Sequence, residues 1–211
     1  MGVCGKDAEV AALQDLLIYS LRGLSQVALE ARKVGVHDES LDFFICEALF
    51  STLSNVNFDP ERIANYIQQA VAHRERLKEK IKKAGIKAAF QGAADFTPAK
   101  SREGLLGQAR EYAFKVPPEI GPEADLFGLQ SLLTFGIKGV AAYTYHAYRL
   151  GKKDDKVFEF IEEALTVPLN ENLGINDFLN LSLKCGGINI RAMELLDAAH
   201  TETYGHPTPT A

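Results

Sequence analysis

Residues 8–34 read AEVAALQDLLIYSLRGLSQVALEARKV, and along them Leu13, Leu16, Leu17, Leu21, Leu24, Val27 and Ala31 recur at steps of three and four. That spacing gathers side chains on one face of an α-helix, which must be buried against other elements. Gly35 stands where a left-handed C-terminal cap is expected. Asp38 and Glu39 then offer an N-cap and an acidic first turn to a second helix carrying Leu41, Phe44, Ile45, Ala48 and Leu49. Asp59, Pro60 and Glu61 open a third, whose stripe of Ile63, Tyr66, Ile67, Ala70, Leu77 and Ile81 runs to Gly85. Three amphipathic helices with short connections over residues 1–85 can close a bundle.

Residues 86–123 break the pattern, with Gly92, Pro98, Pro117, Pro118, Gly121 and Pro122 framing one short helix near Ser101–Phe114, and are expected to form an irregular linker. Helical periodicity returns over Leu126–Leu150, Asp154–Leu165 and Asn176–Ala199. The halves also align without a gap: Leu13 pairs with Leu129, 116 residues on, and over 37 positions thirteen identities follow at the same offset. Among them are Gly23 with Gly139, Gly35 with Gly151, Asp38 with Asp154 and Phe44-Ile45 with Phe160-Ile161. The expected fold is therefore all-α: two tandem three-helix bundles, residues 1–85 and 124–204, related by an internal repeat, with a tail at 205–211. Gly23 and Gly139 lie inside helices, where glycine costs about 1 kcal/mol against alanine, so a close helix crossing is expected at each.

Composition narrows the function classes. With 23 basic and 28 acidic residues the formal charge is -5, which argues against general nucleic-acid binding. No stretch approaches the run of about 20 apolar residues that crosses a bilayer, and MGVCGKDAEV lacks the apolar core of a signal peptide, so a cytoplasmic protein without a membrane partner is expected. Cys4, Cys46 and Cys185 are too few and too scattered for a disulfide framework.

Little local chemistry stands out. His37, His73, His146, His200 and His206 are dispersed with no metal-ligand spacing, so each is read as structural or surface. The acidic residues read as caps and helix-face charges, Glu162 and Glu163 pointing around their helix, and no carboxylate pair is assigned. Phosphate-binding glycine motifs are absent. The basic run from His73 to Lys87 has Glu75 and Glu79 interleaved and reads as a solvated helix face. Cys46 and Cys185, within helices, read as small apolar residues. Cys4, flanked by glycines in GVCGK ahead of the first helix, has a backbone that can approach an iron-sulfur cluster, but three cysteines cannot ligate a cubane, which needs four thiolates.

Four segments carry a family resemblance: VCGKDAEVAALQDLLIYSLRGLS (3–25), EALFSTLSNVNFDPER (47–62), GPEADLFGLQSLLTFGIKGVAAY (121–143) and LLDAAHTETYGHPTPT (195–210). They are similar to the hybrid-cluster proteins, also called hydroxylamine reductases or prismane proteins, and more distantly to carbon monoxide dehydrogenases. The resemblance implies an N-terminal all-helical domain of two three-helix bundles. In the family this precedes two α/β domains holding a hybrid iron-sulfur-oxygen cluster, where hydroxylamine is reduced to ammonia. It also implies a 4Fe-4S or 2Fe-2S electron-transfer cluster bound by CxxC and two further cysteines, of which Cys4 matches only the last. Cys4 is thus the one expected cofactor and metal ligand, and no catalytic residue is assigned. The expectation is a helical scaffold, inactive by itself, shortened either by deliberate excision of the domain or by a gene start placed at Met1, where the missing cysteine segment would join. Its partners are the remaining domains and an unidentified electron donor. Two alternatives are an independent helical interaction module and a symmetric assembly sharing a cluster through Cys4.

Overall fold

In the computed structural model, which describes residues 5–86, 88–112 and 121–209, every regular element is helical. Among the described residues seven α-helices succeed one another: α1 Ala8–Lys33, α2 Glu39–Phe50, α3 Pro60–Lys83, α4 Arg102–Tyr112, α5 Pro122–Arg149, α6 Asp155–Thr166 and α7 Ile175–Tyr204. Two short 3-10 turns lie at Gly92–Asp95 and Val167–Leu169.

Caps set these boundaries. Asp7 accepts the Val10 N–H at 2.7 Å, Asp59 those of Glu61 and Arg62 at 3.0 and 3.3 Å, and Asp154 that of Lys156 at 3.0 Å. Asp38 stands at the expected N-cap of α2, and its carboxylate is taken up mainly by Ser40 Oγ at 2.6 Å and Lys80 Nζ at 2.7 Å, which also ties it to the last turn of α3. The repeat recurs as geometry where α1 and α5 end. Gly35 at φ 73° and Gly151 at φ 86° turn the chain, and Val36 N–H and Lys152 N–H each reach back to Ala31 and Ala147 carbonyls at 2.9 Å. Both ends are the same Schellman cap.

The packing order departs from one bundle per half. The long helices pair within each half, α1 with α3 and α5 with α7, whereas each short helix packs mainly on the long helix of the other half, α2 on α5 and α6 on α1. A single hydrophobic cluster accordingly runs through both halves. At the α2–α5 contact Phe43 stacks on Tyr145 and Tyr148 with ring centroids 5.3 and 4.5 Å apart. The stretch read as a linker is also core: Ala94, Phe96, Leu105 and Ala109 are buried in that cluster, against α1 and α3. Its expected short helix is α4; Phe114 lies outside the described residues.

The two glycines expected at helix crossings behave differently. A Cβ on Gly23 would meet the Ala93 carbonyl oxygen at 2.0 Å, so its neighbour is the 3-10 turn, not a helix. A Cβ on Gly139 would meet nothing within 4 Å. The close α5–α7 approach falls one turn earlier, at Gly136, where a Cβ would sit 2.9 Å from Cys185 Sγ.

Helix α5 is the one described helix long and apolar enough, by length and composition, to cross a membrane, contrary to the expectation that no stretch comes near. It packs on α7 and α2, while Leu132 and Phe135 of the same helix stay exposed.

Candidate functional site

Cys4, the one residue expected to bind a cofactor or metal, lies outside the described residues. Directly after it, Gly5, at φ 82°, turns the chain, and Lys6 is buried with its ammonium donating to Gln14 Oε1 at 2.9 Å and to the Leu53 carbonyl at 3.2 Å. Lys138 of α5 arrives at the same loop, donating to the Thr52 carbonyl at 3.3 Å. Burial lowers its ammonium to about 8, with Asp15 opposing and Lys6 adding to the shift. Burial likewise lowers the Arg22 guanidinium to about 10 and raises the Asp15 carboxyl. Near the entry to α1, Lys6 and Lys138 thus come together at the loop 52–53, and Asp15 faces Lys138 and Arg22.

A second polar cluster sits in the seam where the halves exchange helices. Arg32 of α1 places Nε 2.6 Å from Glu162 Oε2 on α6 and Nη2 2.9 Å from Asp42 Oδ2 on α2. His37 Nε2 stands 2.7 Å from the same Asp42 oxygen. Asp42 and Glu162 are buried. Burial pushes the Glu162 carboxyl up, Arg32 pulls it down and Asp42 adds to the rise. Cys46, fully buried beside them, has its thiol pushed well up by burial and by the two carboxylates. The cluster is a buried tie between halves, one guanidinium facing two carboxylates.

Reading the acidic residues as caps and surface charges therefore missed Asp42 and Glu162. The repeat held the signal: at the 116-residue offset Asp42 aligns with buried Phe158 and Glu162 with buried Cys46. A charge aligned with a core residue of the other copy marks a charge in the core. In the basic run Arg74 departs from a solvated face: it is buried, donating to the Ala93 carbonyl at 3.0 Å and the Phe96 carbonyl at 2.7 Å. Cys46 and Cys185 are free and buried, as small apolar residues would be. His73 lies against Phe44, and burial lowers its imidazole pKa. Among the described residues no three His, Cys, Asp or Glu side chains gather where they could hold a metal ion.

Known proteins are similar to this sequence along its whole length. The family model described as Prismane/CO dehydrogenase family matches residues 1–211. The chain is 53% identical over its whole length to a hydroxylamine reductase of Syntrophobacter fumaroxidans, covering 39% of that protein. It is 54% identical over 99% of its length to one of Methanocella arvoryzae and 45% identical over 99% to one of Thermoanaerobacter pseudethanolicus, covering 38% of each. The chain thus spans under two-fifths of the length of these relatives.

Proposed function

Because the chain belongs to the Prismane/CO dehydrogenase family, we propose that it is the helical scaffold of a hydroxylamine reductase, which as a full-length protein reduces hydroxylamine to ammonia on iron-sulfur clusters. The observation that carries this reading is the 53–54% identity along the whole chain to proteins named hydroxylamine reductase. The scaffold consists of two repeat halves, 1–85 and 124–204, that exchange their short helices, with 86–123 between them, of which 92–112 packs on α1, and the tail 205–211 after them. Its partners are the remaining domains of the longer polypeptide and an electron donor, with no membrane or nucleic acid involved, in the cytoplasm.

In this reading Cys4 ligates the electron-transfer cluster, of 4Fe-4S or 2Fe-2S type, and the hybrid cluster belongs to the other domains. The described residues do not fit a complete cluster: no metal-ligating trio gathers among them, and burial raises the pKa of both described thiols, Cys46 and Cys185. What they supply is electrostatics. An iron-sulfur cluster held by thiolates is anionic. Lys6, two residues from Cys4 in sequence, and Lys138 bring buried positive charge to the loop at Thr52 and Leu53. The scaffold would thereby hold an electron-transfer group at a fixed position on a rigid helical body.

Anaerobic iron and sulfide reconstitution tests the proposal. The 211-residue chain should bind no stoichiometric cluster and reduce no hydroxylamine, while the full-length polypeptide does both; a stoichiometric cluster on the short chain, or an inactive reconstituted full-length protein, contradicts it. Leu183, Ile190 and Tyr204, exposed on α7, favour a second reading as a free-standing interaction module. Pull-down of a specific separate partner with a 23.1 kDa protein from source cells would select that reading.

A further inference from the structure

The repeat places two equivalent grooves in the molecule, and among the described residues only one is filled. In the first half the groove between α1 and α3 is closed by residues 92–112. The Ala93 carbonyl rests on Gly23, and the Arg74 guanidinium holds the Ala93 and Phe96 carbonyls. Gln68 Nε2 donates to the Ala99 carbonyl at 2.8 Å. Tyr19 stacks on Tyr112, centroids 4.3 Å apart, and meets Phe96 edge-on at 5.5 Å.

Between α5 and α7 no described residue covers the same positions. Gly139, the counterpart of Gly23, has open space above it. Leu132 is 56% exposed where its counterpart Leu16 is 0% exposed, and Phe135, the counterpart of Tyr19, is 64% exposed. From α3 to α7 the offset falls to 115, since Ile63 and Leu77 then align with Phe178 and Ala192, all buried. On that register Arg74 corresponds to Asn189, which lines the open groove with its amide near only Met193 Sδ, at 3.6 Å. Gln68 corresponds to Leu183, 68% exposed. Besides its buried face, α7 thus carries a second apolar stripe of Leu179, Leu183, Ile190 and Met193 at steps of three, four and seven. The groove encloses about 400 Å³.

We propose that this groove seats the polypeptide that follows α7 in the full-length protein, docked with a backbone carbonyl over Gly139 and within reach of Asn189, as residues 92–99 dock on Gly23 and Arg74. The inference rests on the scaffold reading above. Two observations select this occupant over a second copy or a foreign partner. The equivalent groove is filled by the segment directly following α3, and the relatives are more than twice as long as this chain. Residues 205–209 are themselves exposed, so the occupant is sought further along the longer polypeptide. A glycine without a close neighbour, an amide donor and an apolar stripe are what an approaching backbone with an aromatic or aliphatic side chain requires.

A photoreactive benzoylphenylalanine at Leu183 of the full-length protein, followed by proteolysis and mass spectrometry, reads the occupant directly. Cross-links within the same polypeptide to positions beyond 211 are expected; cross-links to a second copy, to another protein, or none at all overturn the proposal. Independently, Gly139→Trp in the full-length protein should lower its first thermal transition by more than about 4 °C; an unchanged transition counts against docking there. Intact mass of the protein from source cells separates the two levels. A 23.1 kDa species defeats the scaffold reading itself, whereas a longer chain with Leu183 cross-links elsewhere defeats only the docking.

Discussion

Glu162 is the residue at which burial and charge conflict most sharply. Burial raises its carboxyl to about 8, from an ordinary 4.5, with Arg32 opposing. A carboxyl whose folded pKa is raised favours the protonated fold, so its contribution is complete below about 4.5 and is lost as pH rises to about 8. Asp38, lowered to about 2 by Lys80 and Ser40, works in the opposite sense, contributing above about 3.8 and losing that contribution as pH falls toward 2. Denaturant unfolding of Glu162→Gln at pH 5 and pH 8 should therefore show a stability difference smaller than the parent's by on the order of 2 kcal/mol. An unchanged difference would mean that Glu162 does not titrate in that window. Gly23 and Gly139 make a matched pair at this scale. Gly23→Ala drives a Cβ into the Ala93 backbone and should cost roughly 1–3 kcal/mol, whereas Gly139→Ala meets open space in this chain and should stabilise it by about 0.5–1 kcal/mol. Opposite shifts in melting temperature are the expected readout.

Among the elements, the helix ends carry the most transferable information. Gly151 closes α5 with the same left-handed turn and 2.9 Å back-bond that Gly35 gives α1. Gly151→Ala should cost about 1 kcal/mol, and the double variant with Gly35→Ala about twice that, since the two caps share no partner; urea titration of the three variants checks the sum. Asp59 caps α3 through two N–H groups, and Asp59→Ala should cost about 1 kcal/mol with the m-value unchanged. The segment 92–112 behaves as an element of the core despite its irregular sequence, because Arg74 satisfies two of its carbonyls while Phe96, Leu105 and Ala109 bury apolar surface.

For the molecule as a whole, exchange of the short helices joins the halves into one cooperative body. Each short helix has its main partner in the opposite half, and the hydrophobic cluster is continuous, so neither half can unfold while leaving the other's core intact. Calorimetry should show one transition, with van't Hoff and calorimetric enthalpies equal. Arg32→Met tests the polar side of the seam. It leaves Asp42 and Glu162 facing each other without their guanidinium and should lower stability by roughly 3–5 kcal/mol while the single transition persists. Two resolved transitions in the parent would show that the halves unfold independently.

What the sequence by itself determined was local. The three-and-four spacing of leucines defined α1, the acidic caps and glycines defined most boundaries, and the thirteen repeated identities marked two halves built on one plan. These signals act within a few residues along the chain, where backbone hydrogen bonding and capping are decided. Partners were decided only by the tertiary structure. A 3.6-residue stripe says that a face is buried but not by what, so it could not show α2 on α5, α6 on α1, or an apparent linker in the core. Gly23 and Gly139 read alike in sequence, yet one lies under a carbonyl and the other under open space. Arg32 and Glu162 stand 130 positions apart, and only the crossing of helices from both halves brings them to 2.6 Å.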